Sequence, residues 1–311
     1  MILTVRHLKK RFDNCVAVKD LSFTLQTGEI TGFVGPNGAG KTTTMRILAT
    51  IDQCTSGWID IDGVSVLEYP EIARQKIGYV PDSLPLNNDM TIHEYLDFFA
   101  RAYGLKTPKR QETVQQLEEF TNLTGIKEKM IDSLSKGMKQ RVSIARALIS
   151  NPDFILMDEP AAGLDPRARI ELRELLKVLC EQGKGILISS HILSELSEIC
   201  TSTIIIEKGE LLKSGKIEDV VEEISGDNKR ILQIKTLTPD EDLAKKLIVD
   251  QFVSNMKASG CSFSFEYSGT DEQACDMLAT MIKDGARIIA FGFKQQNLES
   301  VFMNVTKGDV Q

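Results

Sequence analysis

The sequence predicts an α/β protein built on a mainly parallel sheet with helices on both faces. Antiparallel strands precede that sheet, a helical insertion interrupts it, and a small α+β domain follows it. Three observations predict this. Gly35-Pro36-Asn37-Gly38-Ala39-Gly40-Lys41-Thr42 reads G-x-x-x-x-G-K-[ST], a phosphate-binding loop set between an apolar run and a helical stretch. Continuous apolar runs recur at Phe154–Met157, Ile186–Ile188 and Ile204–Ile206, as strands buried on both faces require. From residue 90 to about 150 the apolar residues recur instead at helical spacing.

Residues 2–28 read as two strands. Ile2, Val5 and Leu8 lie in the first and Val16, Val18, Leu21, Phe23 and Leu25 in the second, with a turn at Asp13-Asn14. Phe12 and Val18 are apolar candidates for packing on a nucleotide base, or else plain core. Lys9-Lys10-Arg11 is the densest basic run and reads as a solvated loop. Glu29–Val34 is the strand before the phosphate loop, and Thr43–Ala49 the helix after it. Thr55–Gly63 alternates as a strand in which Trp58 reads as a packing residue, and Ile77–Pro81 is a strand stopped by its proline. Thr91–Ala100 and the residues around Val114, Leu117 and Phe120 give the helical insertion. Strands then alternate with helices again, and Glu207-Lys208-Gly209-Glu210 supplies a hairpin turn.

Gly226-Asp227-Asn228 marks a boundary, with residues 1–225 before it, the helical subdomain at about 83–150 within them, and 226–311 after it. Beyond the boundary, Arg230–Lys235, Cys261–Tyr267 and Arg287–Phe291 read as strands. Ala274, Met277, Leu278, Met281 and Ile282 share one helical face, and Leu298, Val301, Phe302 and Val305 suggest a closing helix.

The 311 residues suffice for two domains, and 42% hydrophobic with 26% charged residues is ordinary globular composition. A net charge of -7 argues against a nucleic-acid footprint. The six cysteines are scattered without a C-x-x-C pair, as in a reduced cytosolic protein. Met1–His7 is too short an apolar run for a signal peptide, and no stretch approaches the ~20 apolar residues that span a bilayer.

The phosphate loop carries the first chemistry. Its glycines let successive N–H groups turn into one hollow, Lys41 adds a charge for the β- and γ-phosphates, and the Thr42 hydroxyl can hold Mg²⁺. The N-terminus of the following helix, from Thr43 on, faces the anion. Asp158-Glu159 follows the apolar strand Phe154–Met157. Ligands of open α/β sheets bind at the carboxyl ends of strands, so Asp158 is placed to bind Mg²⁺, directly or through water. Glu159 is placed to take the proton of an attacking water.

With these residues in view, the chain resembles a nucleotide-binding subunit of the ATP-binding-cassette (ABC) transporters from about residue 2 to residue 225. Leu134-Ser135-Lys136-Gly137-Met138-Lys139-Gln140-Arg141 resembles the family's signature, Ala162-Gly163-Leu164-Asp165 its D-loop and Ser189-Ser190-His191 its switch histidine. The resemblance implies a phosphate-loop NTPase cassette whose substrate is ATP with Mg²⁺. Two such cassettes, a homodimer or a pair of related subunits, would pack head to tail with ATP between them. Ser135, Lys136 and Gly137, with Asp165, would complete the partner's site, and His191 would hydrogen-bond the γ-phosphate. Asp82 stands where the family usually has a glutamine at the metal and water. Lys136 and Met138 replace the usual glycine and glutamine of the signature, and Ala162 replaces the D-loop serine.

Asp89–Gly104 and Asn297–Thr306 resemble the exporter branch, in subunits for drugs, sodium ions and cell-surface polymers. The implied function is ATP hydrolysis that powers a separate transmembrane permease from the inner face of the membrane. A soluble ATPase of the same type acting on ribosomes or DNA, and a small kinase sharing only the phosphate loop, remain as alternatives at this point.

Overall fold

In the computed structural model the N-terminal alternation becomes a hairpin, β1 (Ile2–Phe12) paired antiparallel with β2 (Cys15–Gln26). Leu3, Val5 and Leu8 of β1 and Leu21, Phe23 and Leu25 of β2 point into the core. The structure describes residues 1–84, 89–190, 196, 198–220 and 230–293. Two units emerge, Met1–Ile217 and Glu218–Gln311.

Along the first unit follow β3 (Ile30–Val34), α1 (Lys41–Leu48), β4 (Ser56–Ile61), β5 (Val64–Ser65), α2 (Pro70–Lys76) and β6 (Ile77–Val80). After them come α3 (Ile92–Ala102), α4 (Lys109–Phe120), α5 (Lys136–Leu148), β7 (Phe154–Asp158), α6 (Pro166–Glu181), β8 (Gly185–Ser190), β9 (Ser202–Glu207) and β10 (Glu210–Lys216). One ten-stranded sheet has the order β5-β4-β1-β2-β10-β9-β3-β8-β7-β6. Strands β9, β3, β8, β7 and β6 run parallel, and β3, β7 and β8 are buried at every residue. That burial explains their unbroken apolar runs. The antiparallel part joins through a bridge between Glu210 and Asp20. The turn from β9 to β10 places both Lys208 (φ 49°) and Gly209 (φ 79°) in the left-handed region, the conformation of a type I′ hairpin.

Two sequence expectations change here. Lys9-Lys10-Arg11 belongs to β1 rather than to a loop. The Lys10 ammonium donates to the Gln53 carbonyl at 2.7 Å and lies 4.7 Å over the Phe12 ring. Trp58 is 42% exposed, so it is not a core packing residue. The strand pleat sends neighbouring Ile59 inward, and Trp58 takes the opposite face across from Arg6.

The helical insertion has its own core, formed by Ile92, Leu96 and Ala100 of α3, Val114 of α4, Val142 and Ala145 of α5, and Leu123 and Ile131 between helices. Thr91 and Glu94 form a reciprocal cap at the start of α3. Across the pair α3–α4, the His93 ring nitrogen meets the carboxylate of buried Glu118 at 2.6 Å.

The second unit contains β11 (Arg230–Thr236), α7 (Glu241–Val249), β12 (Val253–Ser259), β13 (Ser262–Tyr267), α8 (Asp271–Lys283) and β14 (Ile288–Phe293). Its antiparallel order β12-β13-β11-β14 with two crossover helices is a ferredoxin-like βαββαβ arrangement. Leu232, Ile234, Phe263, Phe265 and Tyr267 of the sheet pack with Leu243, Leu247, Ala274 and Met281 of the helices. Ile282, expected on that buried face, is 57% exposed. The proposed boundary at Gly226–Asn228 and the closing helix around Leu298 to Val305 lie outside the described residues.

His93→Ala leaves the Glu118 carboxylate buried without its ring partner. The expected loss is about 1–3 kcal/mol, read from chemical denaturation of the purified chain. His93→Gln, which restores a donor, is expected to recover part of it.

Candidate functional site

Register builds the site. Between β3 and β8, Val34 lies opposite Ser190; between β8 and β7, Ser189 lies opposite Asp158; between β7 and β6, Met157 lies opposite Val80. The loops that leave these strands at Gly35, Glu159 and Pro81 therefore start from one edge of the sheet. Asp82 is two residues past Val80 and Glu159 two past Met157, so both depart at the same level. The residues that sequence analysis singles out across more than a hundred positions are thus brought to one rim, where ligands of such sheets bind.

The phosphate loop is held by its glycines and by two neighbours. Gly38 (φ 79°) and Gly40 (φ 101°) take left-handed backbone. A Cβ on Gly40 would lie 2.6 Å from the Ala17 carbonyl, and one on Gly35 would lie 2.5 Å from the Ile206 carbonyl. The Gly209 N–H donates to the Ala39 carbonyl, so the β9–β10 turn braces the loop from outside. Pro36, Asn37 and Gly38 are exposed while Ala39 is buried. Thr42 is exposed and Thr43 half-buried in the first turn of α1, and the Thr44 hydroxyl donates to the Gly40 carbonyl at 2.8 Å.

Lys41 is 7% exposed. Its ammonium donates to the carbonyls of Gly35 at 2.7 Å and Pro36 at 3.3 Å, and stands 3.9 Å from Glu159 Oε1. Burial holds its pKa below the ordinary lysine value of 10.5, opposed by the attraction of Glu159 and Asp158. Asp158 is buried too. The Ser189 hydroxyl donates to Asp158 Oδ1 at 2.6 Å and accepts the Glu159 N–H at 2.9 Å. Glu159 has left-handed backbone (φ 49°), a conformation that costs about 1–3 kcal/mol in a non-glycine residue. Ser189 thus fixes both carboxylate-bearing residues through one oxygen. The sequence placed Ser189 beside the switch histidine but did not reveal this contact, which follows from β8 lying next to β7.

Each of the other expected residues has a definite place. Ser135 caps α5, its hydroxyl accepting the Met138 N–H at 3.4 Å. Asp165 caps α6 through the Ala168 N–H at 2.9 Å. The two caps adjoin: a Cβ on Gly137 would touch Ala168 Cβ at 3.4 Å, and one on Gly163 would meet the Lys136 ammonium at 3.2 Å. Phe12 is 44% exposed and remains available to a base. Val18 is corrected: it is fully buried and packs under Gly40, so it supports the loop instead of offering a surface to a base. Asp82 is exposed, and His191 lies outside the described residues.

The oxygens at this rim suit a hard divalent cation. Thr42 offers an exposed hydroxyl, Asp158 a buried carboxylate beside Lys41 and Asp82 an exposed carboxylate. Among the described residues no cluster of three or more His, Cys, Asp or Glu could hold a metal by itself. A set of few protein oxygens fits Mg²⁺, which completes its shell with water and substrate phosphate.

Comparison with known proteins agrees with this geometry. A family described as ABC transporter matches residues 18–162. The chain is 34% identical over 307 residues to the Nod factor export ATP-binding protein I of Burkholderia lata, covering 98% of this chain and 97% of that protein. It is 30% identical to the linearmycin resistance ATP-binding protein LnrL of Bacillus subtilis, covering 98% of each. Among solved structures it is similar to an ATP-binding subunit of an ABC transporter (31% identity, TM-score 0.66, covering 72% of this chain and 94% of that one). A dimeric bacterial ABC transporter cassette also matches (26% identity, TM-score 0.63, covering 69% and 98%).

Ser189→Ala removes the shared oxygen while keeping the strand. Turnover of ATP is expected to fall about 10- to 100-fold with ATP affinity nearly unchanged, measured by steady-state kinetics and nucleotide titration. The Lys41 environment also predicts a pH dependence of opposite sign in two measurements. Nucleotide affinity falls as pH rises through the depressed Lys41 value, below 10.5, because the cation is lost. The contribution of Lys41 to folding stability runs the other way, complete above 10.5 and lost as pH falls through the folded value. Nucleotide dissociation constants and denaturation midpoints taken over the same alkaline series check both signs.

Proposed function

Because this chain belongs to the ATP-binding subunits of ABC transporters, we propose that it hydrolyses ATP as half of a cassette dimer and so drives a separate membrane-embedded exporter. It is an ATPase by that membership. Export comes from the full-length relatives, whose names place them in Nod factor export and linearmycin resistance. The same relatives remove the grounds for a ribosome- or DNA-directed ATPase and for a kinase that shares only the phosphate loop. Among the described residues no helix is long and apolar enough to cross a membrane. In this reading the transport path belongs to a separate permease, and this subunit works on its inner face.

The observation that carries the mechanism is the departure of Gly35, Asp82 and Glu159 from one edge of the sheet, within one residue of the same level. The N–H groups of the loop and the α1 N-terminus bind the phosphates of ATP. Lys41 leaves its carbonyl partners for the β- and γ-phosphates, an exchange that keeps a buried cation compensated. Thr42, Asp158 and Asp82 would hold Mg²⁺, which neutralises phosphate charge and polarises the γ-phosphoryl group. Glu159, fixed through its amide by Ser189, accepts the proton of the attacking water. Phe12 covers the base, and His191 hydrogen-bonds the γ-phosphate and orients the water.

Ser135, Lys136 and Gly137 serve the ATP held on the partner subunit. They begin α5, whose N-terminal partial positive charge favours an anion. Asp165 begins α6 beside them, so signature and D-loop move as one packed unit. ATP is then part of the interface, and hydrolysis removes the bridging charge.

Glu159→Gln keeps shape and hydrogen bonding while deleting the base. It is expected to lower turnover by about 10²–10⁴-fold with ATP still bound, and to trap a nucleotide-dependent dimer on size exclusion. Unchanged turnover would remove Glu159 from the mechanism, and a monomer saturated with nucleotide would remove the shared site.

A further inference from the structure

Among the described residues strand β6 is the last strand of the ten-stranded sheet, so its outer edge has no neighbouring strand to donate to its carbonyl groups. Helix α5 packs closely on the face of this strand. Gly78 permits the approach, since a Cβ there would lie 2.6 Å from the Ala147 carbonyl. Next to Ala147, the Arg146 guanidinium donates to the Tyr79 carbonyl at 3.2 Å. With its other amino group it donates to the Tyr95 hydroxyl at 3.3 Å, and it stands 5.4 Å over the Phe99 ring. Tyr95 and Phe99 belong to α3, and their rings pack together at 4.8 Å. One side chain therefore joins three parts: the helix that starts with the signature, the first helix of the insertion and the strand that runs into Asp82.

We propose that Arg146 is a positioning residue that ties the Asp82 loop to the helical insertion, so that occupancy of the ATP site is passed to α3. The planar guanidinium suits this task because two separate nitrogens reach the Tyr79 carbonyl and the Tyr95 hydroxyl while its flat face lies on a ring, whereas an ammonium offers all its donors from a single nitrogen. Tyr79 is held on its other side by register: it lies opposite Leu156 of β7, two residues before Asp158. A shift of β6 at the rim is thereby felt by Arg146, and through it by Tyr95 and Phe99. This reading rests on the ATPase assignment above.

The test compares the full chain with Arg146→Lys and with Tyr95→Phe, all in the Glu159→Gln background. Backbone hydrogen exchange is followed in residues 77–80 and 92–102 with and without ATP and Mg²⁺. In the parent, nucleotide is expected to slow exchange in both segments together. Arg146→Lys is expected to keep the response of 77–80 and lose that of 92–102. It should also raise the Mg²⁺ concentration for half-maximal nucleotide protection about three- to tenfold. Tyr95→Phe, which removes a single hydroxyl, is expected to act in the same direction with a smaller change and so covers the case in which Arg146→Lys fails to fold. Joint protection of both segments in both variants, or loss in proportion to melting temperature alone, overturns the proposal. No protection by nucleotide in the parent overturns the ATPase assignment instead.

Discussion

The structure depends on the register of its buried parallel strands. A strand covered on both faces is held in register by the fit of its side chains, because a slip by one residue sends each of them to the opposite face. In β3, β7 and β8 no residue is exposed, so their ends are fixed against one another. The rim where Gly35, Asp158 and Glu159 meet is a consequence of that packing. Catalytic placement and core packing are thus one constraint, and a core substitution in β7 acts on the site as directly as one in the phosphate loop.

That constraint also explains which parts were legible in the sequence. The phosphate loop is readable because its glycines and Lys41 must be consecutive, and Asp158-Glu159 because four buried apolar residues precede them. The hairpin β1–β2 and strands β6 to β9 are readable for the same reason: burial imposes a pattern. Where burial is partial, the pattern fails. Strand β12 exposes most of its residues and reads Val-Ser-Asn-Met-Lys-Ala-Ser, with no alternation to find. Helix α7 has nine residues, too few for a clear period. Trp58 faces outward and Val18 takes the core alternative, because residue type does not say which face of a strand looks outward. The Ser189 contact needs the adjacency of β8 and β7, which no local signal carries.

Charge is arranged around the same rim. Lys41, Asp158 and Glu159 lie in surroundings where an isolated charge is costly, and each moderates the others. The site is therefore compensated before substrate arrives, with the ammonium on two loop carbonyls. Binding a triphosphate exchanges those carbonyls for stronger, charged acceptors. Such an exchange favours ATP over any smaller anion that reaches fewer of the loop donors.

The net charge of -7 bears on assembly. Two copies of an acidic chain repel one another, over a range of about 8 Å at physiological ionic strength. In the cassette dimer proposed above, nucleotide brings further negative charge, so closure would draw on cations at the contact: Lys41, a magnesium ion and the N-terminal ends of α1 and α5. On that proposal the γ-phosphate is the group that bridges them. On the proposed mechanism, hydrolysis removes that bridge, and the net negative charge of both copies then favours their separation.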